Sequence, residues 1–369
     1  MGPSGEARQA VNFILKQIMK TIILCAAALA ASLSANAQDS TSTPLVISGS
    51  ADTYYKYDFA ERVNIGTSFA SDQNSVSLGM VDIALKKSTG KASFVGELSF
   101  GPRGQYQSIP NGDGTDANNA NSFHIQNLNV NYAFTDKFSM AAGYFATFVG
   151  YEVISPAGNF NYSTSYLFTN GPFQNAGVKA TYAFSPKVSL MVGLFNEWNT
   201  YKASNGVSSI GAQLMIVPVE SWSAYLNVLD GGDAYGGYGT IFDLTTAYQV
   251  TESFKVGLNA ADFSKRNDGD GGFTGAALYL QNAFTGNFAL GIRGEYFKSK
   301  SGDNGLTLSG VAPGESVTAI TLSGNIKAAG LTFIPEIRLD NGSAEQFFKK
   351  NGAATKTASQ FSLAAVYAF

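Results

Sequence analysis

The sequence predicts an all-β fold, a transmembrane, antiparallel, up-and-down β-barrel of about 16 strands. Strand numbers of about 14 or 18 are the alternatives, because strand ends are uncertain by a few residues. Apolar and polar residues alternate along segments of about ten residues, and the connections between these segments are short and long in turn. The chain also combines 13% aromatic residues and 40 glycines with only 14% charged residues. Lipid-facing and water-facing patterns cancel in a barrel, in agreement with the mean hydropathy of +0.00.

The N-terminal region predicts export. Lys20 supplies a positive charge, Thr21–Leu33 an apolar run, and Ala35–Ala37 a small-x-small cleavage site, so the mature chain is expected to begin at Gln38. The apolar run is shorter than the roughly 20 residues that a membrane-spanning helix needs. The predicted divisions are an upstream extension (1–18), a secretory signal peptide (19–37), a short periplasmic N-terminus (38–44) and an outer-membrane β-barrel (45–369).

Cysteine and charge exclude several function classes. Cys25, the only cysteine, lies in the predicted signal peptide, so we expect no disulfide, cysteine metal site or cysteine nucleophile in the exported chain. The net charge of −3 argues against a basic nucleic-acid surface as the dominant feature. No nucleic-acid partner and no cofactor are predicted.

The first predicted strand, Leu45–Phe59, places Leu45 and Ile47 on one face and polar residues such as Asp52 on the other. In the second strand, Ser75–Lys86, the apolar phase slips near Met80, which predicts a β-bulge. Further strands follow in order. Their predicted bounds or endings are Lys91–Phe100, a fourth ending at Phe134, Phe138–Val149, a sixth ending at Phe184, Val188–Trp198, Val207–Val217 and Trp222–Leu229.

Even-numbered strands end in similar tetrapeptides: NYAF, TYAF, AYQV, QNAF and VYAF. Each is followed by a turn of about three residues or by the end of the chain. The long connections, rich in Gly, Asn, Asp and Ser, follow odd-numbered strands. This alternation is typical of outer-membrane barrels, which have short periplasmic turns and longer extracellular loops.

The last ten residues, QFSLAAVYAF, form the final predicted strand. Its apolar residues at every second position and its terminal aromatic resemble the β-signal by which bacterial outer-membrane proteins are recognised for assembly. The candidate signal residues are Phe361, Leu363, Tyr367 and Phe369. We expect Phe369 to lie in an aromatic girdle at the periplasmic end, beside the start of the first strand.

One segment carries a family resemblance. It is GYEVISPAGNFNYSTSYLFTNGPFQNAGVKATYAF, residues 150–184, and the correspondences lie at Glu152 with Ile154, Asn159–Ser163, Leu167-Phe168, and Gly171–Phe173 leading into Gly177-Val178. The segment resembles the OmpL-like β-barrel porin family of Bacteroidetes outer membranes. This resemblance implies a pore in a Gram-negative outer membrane, but the family supplies no defined functional residues to transfer.

Charged residues on the face opposite the apolar one are predicted to line the lumen, because charge on the lipid face costs roughly 2–4 kcal/mol at the membrane midplane. These pore-lining candidates are Asp52, Lys56, Asp82, Glu97, Lys179, Glu197, Asp243, Lys255, Arg293, Glu295, Glu336, Arg338 and Asp340. They favour a water-filled interior. The alternative is a collapsed lumen in which they pair with one another.

The connection Gly150–Pro172 is predicted to be the third outer loop and to fold into the lumen as a constriction. It is rich in aromatic residues, unlike the other loops, and a solvated loop has little reason to hold so many rings. The candidate constriction residues are Glu152, Phe160, Tyr162, Tyr166 and Phe168, with Glu152 favouring cations. A loop folded over the rim, or buried in a subunit contact, remains the alternative.

Enzymatic function is not expected. The single histidine, His124, is predicted to be a surface residue at the outer start of the fourth strand rather than a catalytic base. The acidic loops Asn111–Asn121 and Asn267–Gly272 lack the spacing of an EF-hand, so solvated loops are favoured over calcium sites, and no metal site is predicted.

The sequence therefore predicts a porin for passive diffusion of small hydrophilic solutes or ions. A structural or adhesive barrel with a blocked lumen is the main alternative. An energy-coupled importer or a fatty-acid transporter would need an N-terminal segment inside the barrel, and Gln38–Thr43 is too short for one. The expected partners are outer-membrane lipid, the barrel assembly machinery and small solutes, and a homotrimer is compatible with a porin of this size.

Overall fold

The computed structural model describes residues 42–105, 124–204, 206–232, 237–266, 271–302 and 308–369. The predicted signal peptide and its cleavage site lie outside these residues, as do the acidic loop Asn111–Asn121 and residues 267–270 of the second acidic loop. Within the described part of the chain, no helix is long and apolar enough to cross a membrane.

Sixteen antiparallel strands form a closed barrel in which β1 pairs with both β2 and β18, which confirms the predicted fold class and strand number. The barrel strands are β1 (Val46–Asp58), β2 (Ser75–Thr89), β3 (Ala92–Phe100), β4 (His124–Ala133), β5 (Phe138–Ala146), β6 (Gln174–Ser185), β7 (Val188–Phe195), β8 (Ser209–Val219), β9 (Trp222–Gly232), β10 (Tyr238–Gln249), β11 (Phe254–Arg266), β12 (Gly272–Thr285), β13 (Phe288–Ser299), β14 (Ser316–Ala328), β15 (Leu331–Gly342) and β18 (Thr357–Ala368).

Four smaller elements lie in the long connections of the described residues, and one of them is a 3-10 helix at Pro156–Gly158. A two-stranded hairpin, β16 (Phe347–Phe348) with β17 (Ala354–Thr355), joins β15 to β18. A short helix, α1 (Pro102–Gln105), follows β3, and α2 (Tyr166–Asn170) lies between β5 and β6. Every short turn follows an even-numbered barrel strand and every long connection an odd-numbered one, so the predicted asymmetry between the two ends is confirmed.

The predicted phase slip in the second strand is a β-bulge. The β1–β2 register moves from Ala51 opposite Val81 to Thr53 opposite Leu78, so that Gly79 and Met80 lie across from a single β1 residue. The Met80 N–H donates to the Asp52 carboxylate at 2.8 Å. Because the bulge inserts one residue, the exposed apolar positions change from even to odd numbers along β2.

The β1–β18 ladder closes the barrel and continues to the last residue at the short-turn end. Phe369 exchanges two backbone hydrogen bonds with Gly49 of β1, at 2.9 and 3.0 Å, which agrees with the expected place of the C-terminal aromatic. Aromatic pairs recur beside the short turns. They are Tyr132 with Phe134, Tyr182 with Phe184, Trp222 with Tyr248, Phe284 with Phe288, and Tyr367 with Phe369. Such rings are typical of the membrane interface of outer-membrane barrels.

Candidate functional site in the barrel lumen

The charged side chains predicted to face inward differ in their solvent exposure. Most of the thirteen candidates are buried, and these are Asp52, Lys56, Asp82, Glu197, Asp243, Arg293, Glu295, Glu336, Arg338 and Asp340. Glu97, Lys179 and Lys255 are half-buried. Apolar neighbours in sequence lie on the opposite, exposed face, as Ile292 and Ile337 do beside Arg293 and Arg338. Alternation along the strands therefore separates the two faces.

Residues 147–173, here called the inner segment, account for much of this burial. The segment joins β5 to β6 and contacts inward-facing side chains of β1, β10, β13, β14 and β15. These strands lie on different sides of the barrel. The inner segment therefore crosses the lumen instead of extending over the outer surface.

An ion pair at the centre of these contacts joins the inner segment to β13. The Arg293 Nη1 atom lies 2.6 Å from Glu152 Oε1, and the two side chains are 0% and 5% exposed. The Glu152 carboxylate also accepts from the Ser165 N–H at 2.7 Å and the Tyr279 hydroxyl at 3.1 Å. Arg293 donates in turn to the Ser163 carbonyl at 2.6 Å.

These contacts bear on the cation preference expected of Glu152, which stays a prediction. The positive charge of Arg293 offsets that of the Glu152 carboxylate, so the pair together presents little net charge to a passing ion. Glu152 also fixes the fold of the inner segment, because it links the segment's first residues both to Ser165 and to the barrel wall.

Glu336 of β15 binds the backbone of the inner segment. Its carboxylate accepts from the Tyr162 N–H at 2.8 Å and the Ser163 N–H at 3.1 Å, and Ser323 of β14 donates to it at 2.7 Å. The Asn161 side chain donates to the same serine hydroxyl at 2.7 Å. A loop backbone inside a barrel needs such partners, because a buried N–H without an acceptor costs about 1–3 kcal/mol.

Two buried tyrosines of the inner segment complete the attachment. Tyr162 donates to Asp52 of β1 at 2.6 Å, and Tyr166 donates to Asp340 of β15 at 2.7 Å. Burial, reinforced by the adjacent carboxylates, raises the pKa of both phenols well above the usual value, so both are neutral donors at neutral pH. Arg338 pairs with Asp340 at 2.8 Å and also donates to the Thr164 carbonyl at 2.8 Å.

Glycines of the wall leave space for side chains of the inner segment. A Cβ atom at Gly257 or Gly291 would collide with Tyr151 or Phe160, respectively, and one at Gly275 would lie 3.0 Å from Leu167 and 2.7 Å from the Tyr296 carbonyl oxygen. The three glycines lie on β11, β12 and β13 and face the lumen. The inner segment is therefore fitted to the wall by shape as well as by hydrogen bonds.

Sequence reasoning missed a second contribution to the lumen. The β1–β2 connection buries Ile65 and Phe69, although most of its residues are polar. Arg103 of α1 is also buried; its guanidinium lies 4.6 Å from the Phe69 ring and 4.9 Å from the Tyr162 ring, and donates to the Ile154 carbonyl at 3.1 Å. Two isolated apolar residues and one arginine are too weak a pattern to reveal this packing in advance.

His124 corrects another expectation. It is the first residue of β4 and is only 5% exposed, with its ring 6.5 Å from that of Tyr201. The expected surface position was therefore wrong. The asparagine-rich sequence before it suggested solvent, but the side chain belongs to the inward-facing set of its strand, next to buried Gln126.

A cavity of about 420 Å³ remains between the first residues of the inner segment and the wall. Its wall residues come from β6, β8, β9 and β10 and include Lys179, Gln213, Tyr225 and Thr245. Ser223 and Ala247 extend the lining to within a few residues of the short turns. The cavity therefore occupies the short-turn half of the lumen, beneath the inner segment.

Solved structures of bacterial outer-membrane proteins resemble this barrel. The outer-membrane channel DcaP of Acinetobacter baumannii is 13% identical, with a TM-score of 0.57 over 88% of this chain and 97% of that one. OmpT of Vibrio cholerae, in its trimer form, is 12% identical, with a TM-score of 0.56 over 89% and 99%. The anion-selective porin from Comamonas acidovorans is 13% identical, with a TM-score of 0.56 over 89% and 100%. At these identities the likeness shows the fold alone.

No curated protein matches the sequence. A family profile does match, over residues 44–369, and its description is "Putative beta-barrel porin-2, OmpL-like". This range includes all 16 barrel strands and the inner segment. The chain belongs to the OmpL-like β-barrel porin family.

Proposed function

We propose that this protein is an outer-membrane porin through which small hydrophilic solutes diffuse passively, and that the inner segment narrows the lumen. The observation that carries the proposal is the attachment of residues 147–173 to inward-facing side chains on several sides of the barrel. A 16-stranded barrel is wide enough for an aqueous channel. A segment crossing it sets the size of solute that can pass, without closing the cavity beside it.

Liposome swelling with sugars of graded size tests both parts of the proposal. We expect the intact protein to admit small sugars and to exclude larger ones. A chain lacking Asn159–Tyr166 should admit larger sugars and give a higher single-channel conductance in planar bilayers. The matched control lacks residues 349–352, the exposed tip of the β16–β17 hairpin, and should keep the original size limit. An unchanged conductance after the inner deletion would contradict the narrowing.

A blocked structural or adhesive barrel is the second candidate. The observation in its favour is the packing of rings inside the outer half of the barrel, where Tyr166, Phe273 and Phe297 stack at 5.5–5.7 Å between centroids and are almost fully buried. An absence of swelling with any sugar, from vesicles that contain heat-modifiable folded barrel, would favour this candidate and exclude the porin.

Export and assembly belong to the same proposal. We expect cleavage after Ala37, so N-terminal sequencing of the outer-membrane form should begin at Gln38; an uncleaved or differently cleaved chain would overturn this.

A homotrimer is proposed by analogy with the trimer form of OmpT. Light scattering on the detergent-solubilised barrel should give three times the mass of one chain if the analogy holds.

A further inference from the structure

Resting on the proposed porin function, we infer that the cavity beside the inner segment is a transit subsite for small anions and that Lys179 gives it this preference. Lys179 is the only charged residue among those that line the cavity. The remaining lining residues are uncharged and include Gln213, Tyr225 and Thr245. A solute passing through therefore meets an ammonium group and hydroxyl donors, but no carboxylate of the lining.

Lys179 lies where a solute can reach it. It is half-buried on the inward face of β6, opposite Ala141 of β5 and Gly193 of β7, and neither neighbour covers it with a large side chain. Its ammonium nitrogen lies 4.2 Å from the centroid of the Phe145 ring. In the part of the chain that the structure describes, no carboxylate forms an ion pair with it. The aromatic contact orients the ammonium without neutralising its charge.

Two carboxylates that adjoin lining residues already accept hydrogen bonds from the protein. Asp243 of β10 is buried and accepts from the Gly150 N–H at 3.1 Å, from Asn227 at 2.7 Å and from Asn259 at 2.5 Å. Glu152 is held by Arg293 in the way described above. Protein donors thus surround both carboxylates, whereas the Lys179 ammonium faces the open space.

A count of the charges on the inward face would instead predict a preference for cations. Buried acidic side chains outnumber basic ones on the inward face, which by itself would favour cations. These carboxylates, however, mostly bind the inner segment or its neighbours, and none of them is among the residues that line the cavity. A charge within about 4 Å of a solute acts on it more strongly than paired charges farther away. The local charge therefore decides the preference.

The reversal potential across a planar bilayer under a KCl gradient tests the inference, with chloride as the probe anion. We expect Lys179→Met to lower the chloride-to-potassium permeability ratio about 25-fold, because one unit charge at about 4 Å in water favours chloride about fivefold and disfavours potassium about fivefold. Lys179→Gln, which keeps a polar side chain, should lower it by a similar factor. Lys187→Met removes the same charge from the exposed turn at the end of β6 and should leave the ratio unchanged.

The outcomes separate the two proposals. If the unmodified protein conducts no ions although it is folded and inserted, the porin function fails. If it conducts, but Lys179→Met and Lys179→Gln keep its permeability ratio, the anion subsite is overturned while the porin stands. Heat-modifiability on gels establishes that each variant is a folded barrel before its permeability is compared.

Discussion

At the scale of single residues, the ion pair between Arg293 and Glu152 is one of the contacts that hold the inner segment to β13. Both side chains are almost fully buried, so removing one partner leaves the other charge buried and uncompensated. We expect Glu152→Gln to destabilise this attachment by about 3–5 kcal/mol, and the double variant with Arg293→Met to recover part of the loss. Urea titration of the inserted barrel, with protease sensitivity of the inner segment as the readout, measures the loss in the single variant and the recovery in the double variant.

A solvent-exposed ion pair provides the control for the substitutions at the buried pair. Lys350 and Glu61 are 2.5 Å apart in the outer connections, with their side chains 70% and 46% exposed. Water and salt screen such a pair, so Glu61→Gln should give no measurable change. If the buried and the exposed substitutions had equal effects, the inner segment would not depend on its ion pair.

The wall glycines make a second prediction at this scale. Gly291→Val places methyl groups where the Phe160 ring lies, so the ring must leave its position and the segment should loosen. On the same strand, a Cβ atom at Gly294 meets nothing within 4 Å, and Gly294→Val is the matched control. We expect protease cleavage within residues 150–172 to accelerate only in the first variant. Equal cleavage in both would contradict the fitted contact.

At the scale of elements, the attachment of the inner segment to β15 is testable by thiol labelling. The sole cysteine lies in the predicted signal peptide, so Ser163→Cys would give the exported barrel a single thiol at a buried position. Adding Glu336→Ala removes the acceptor for two backbone N–H groups of the segment, and maleimide labelling should become at least several-fold faster.

Glu345→Ala, which removes an exposed carboxylate from the connection after β15, is the control for the labelling experiment. It should leave the labelling rate of Cys at position 163 unchanged. Rapid labelling already in the single Ser163→Cys chain would mean that the segment is open without any loss of Glu336.

Elements differ in how well the sequence predicts them. Strand positions such as Ile292 and Arg293 were predictable because lipid and water impose opposite demands at every second residue. The destination of residues 150–172 was suggested by their aromatic content. The partners of Glu152 were not, because Arg293 is far along the chain and local periodicity carries no information about which inward-facing residues meet across the lumen.

At the scale of the whole molecule, the pairing of Phe369 with Gly49 ends the β1–β18 ladder that closes the barrel. The Phe369 ring is exposed at the short-turn end, close to that of Tyr367. We expect Phe369→Asp to reduce the amount of heat-modifiable barrel in the outer membrane, because a charge replaces the interfacial aromatic beside the seam.

Phe348→Asp tests whether any loss of an exposed ring has this effect. Phe348 is about as exposed as Phe369 but lies in the outer hairpin, away from the seam. Its substitution should leave insertion close to normal. Normal insertion of the Phe369→Asp chain would instead show that the C-terminal aromatic is dispensable for assembly.

The long sequence separations within the inner segment's contacts have a consequence for folding kinetics. Glu152 and Arg293 are 141 positions apart, and Tyr166 and Asp340 are 174 apart. Contacts this distant form slowly, because the chain must lose much entropy before they are made. Since β13–β15 supply these partners, the segment can reach its final place only after those strands have joined the sheet. Refolding should therefore show a fast phase for sheet formation and a slower phase in which the inner segment binds its partners inside the barrel.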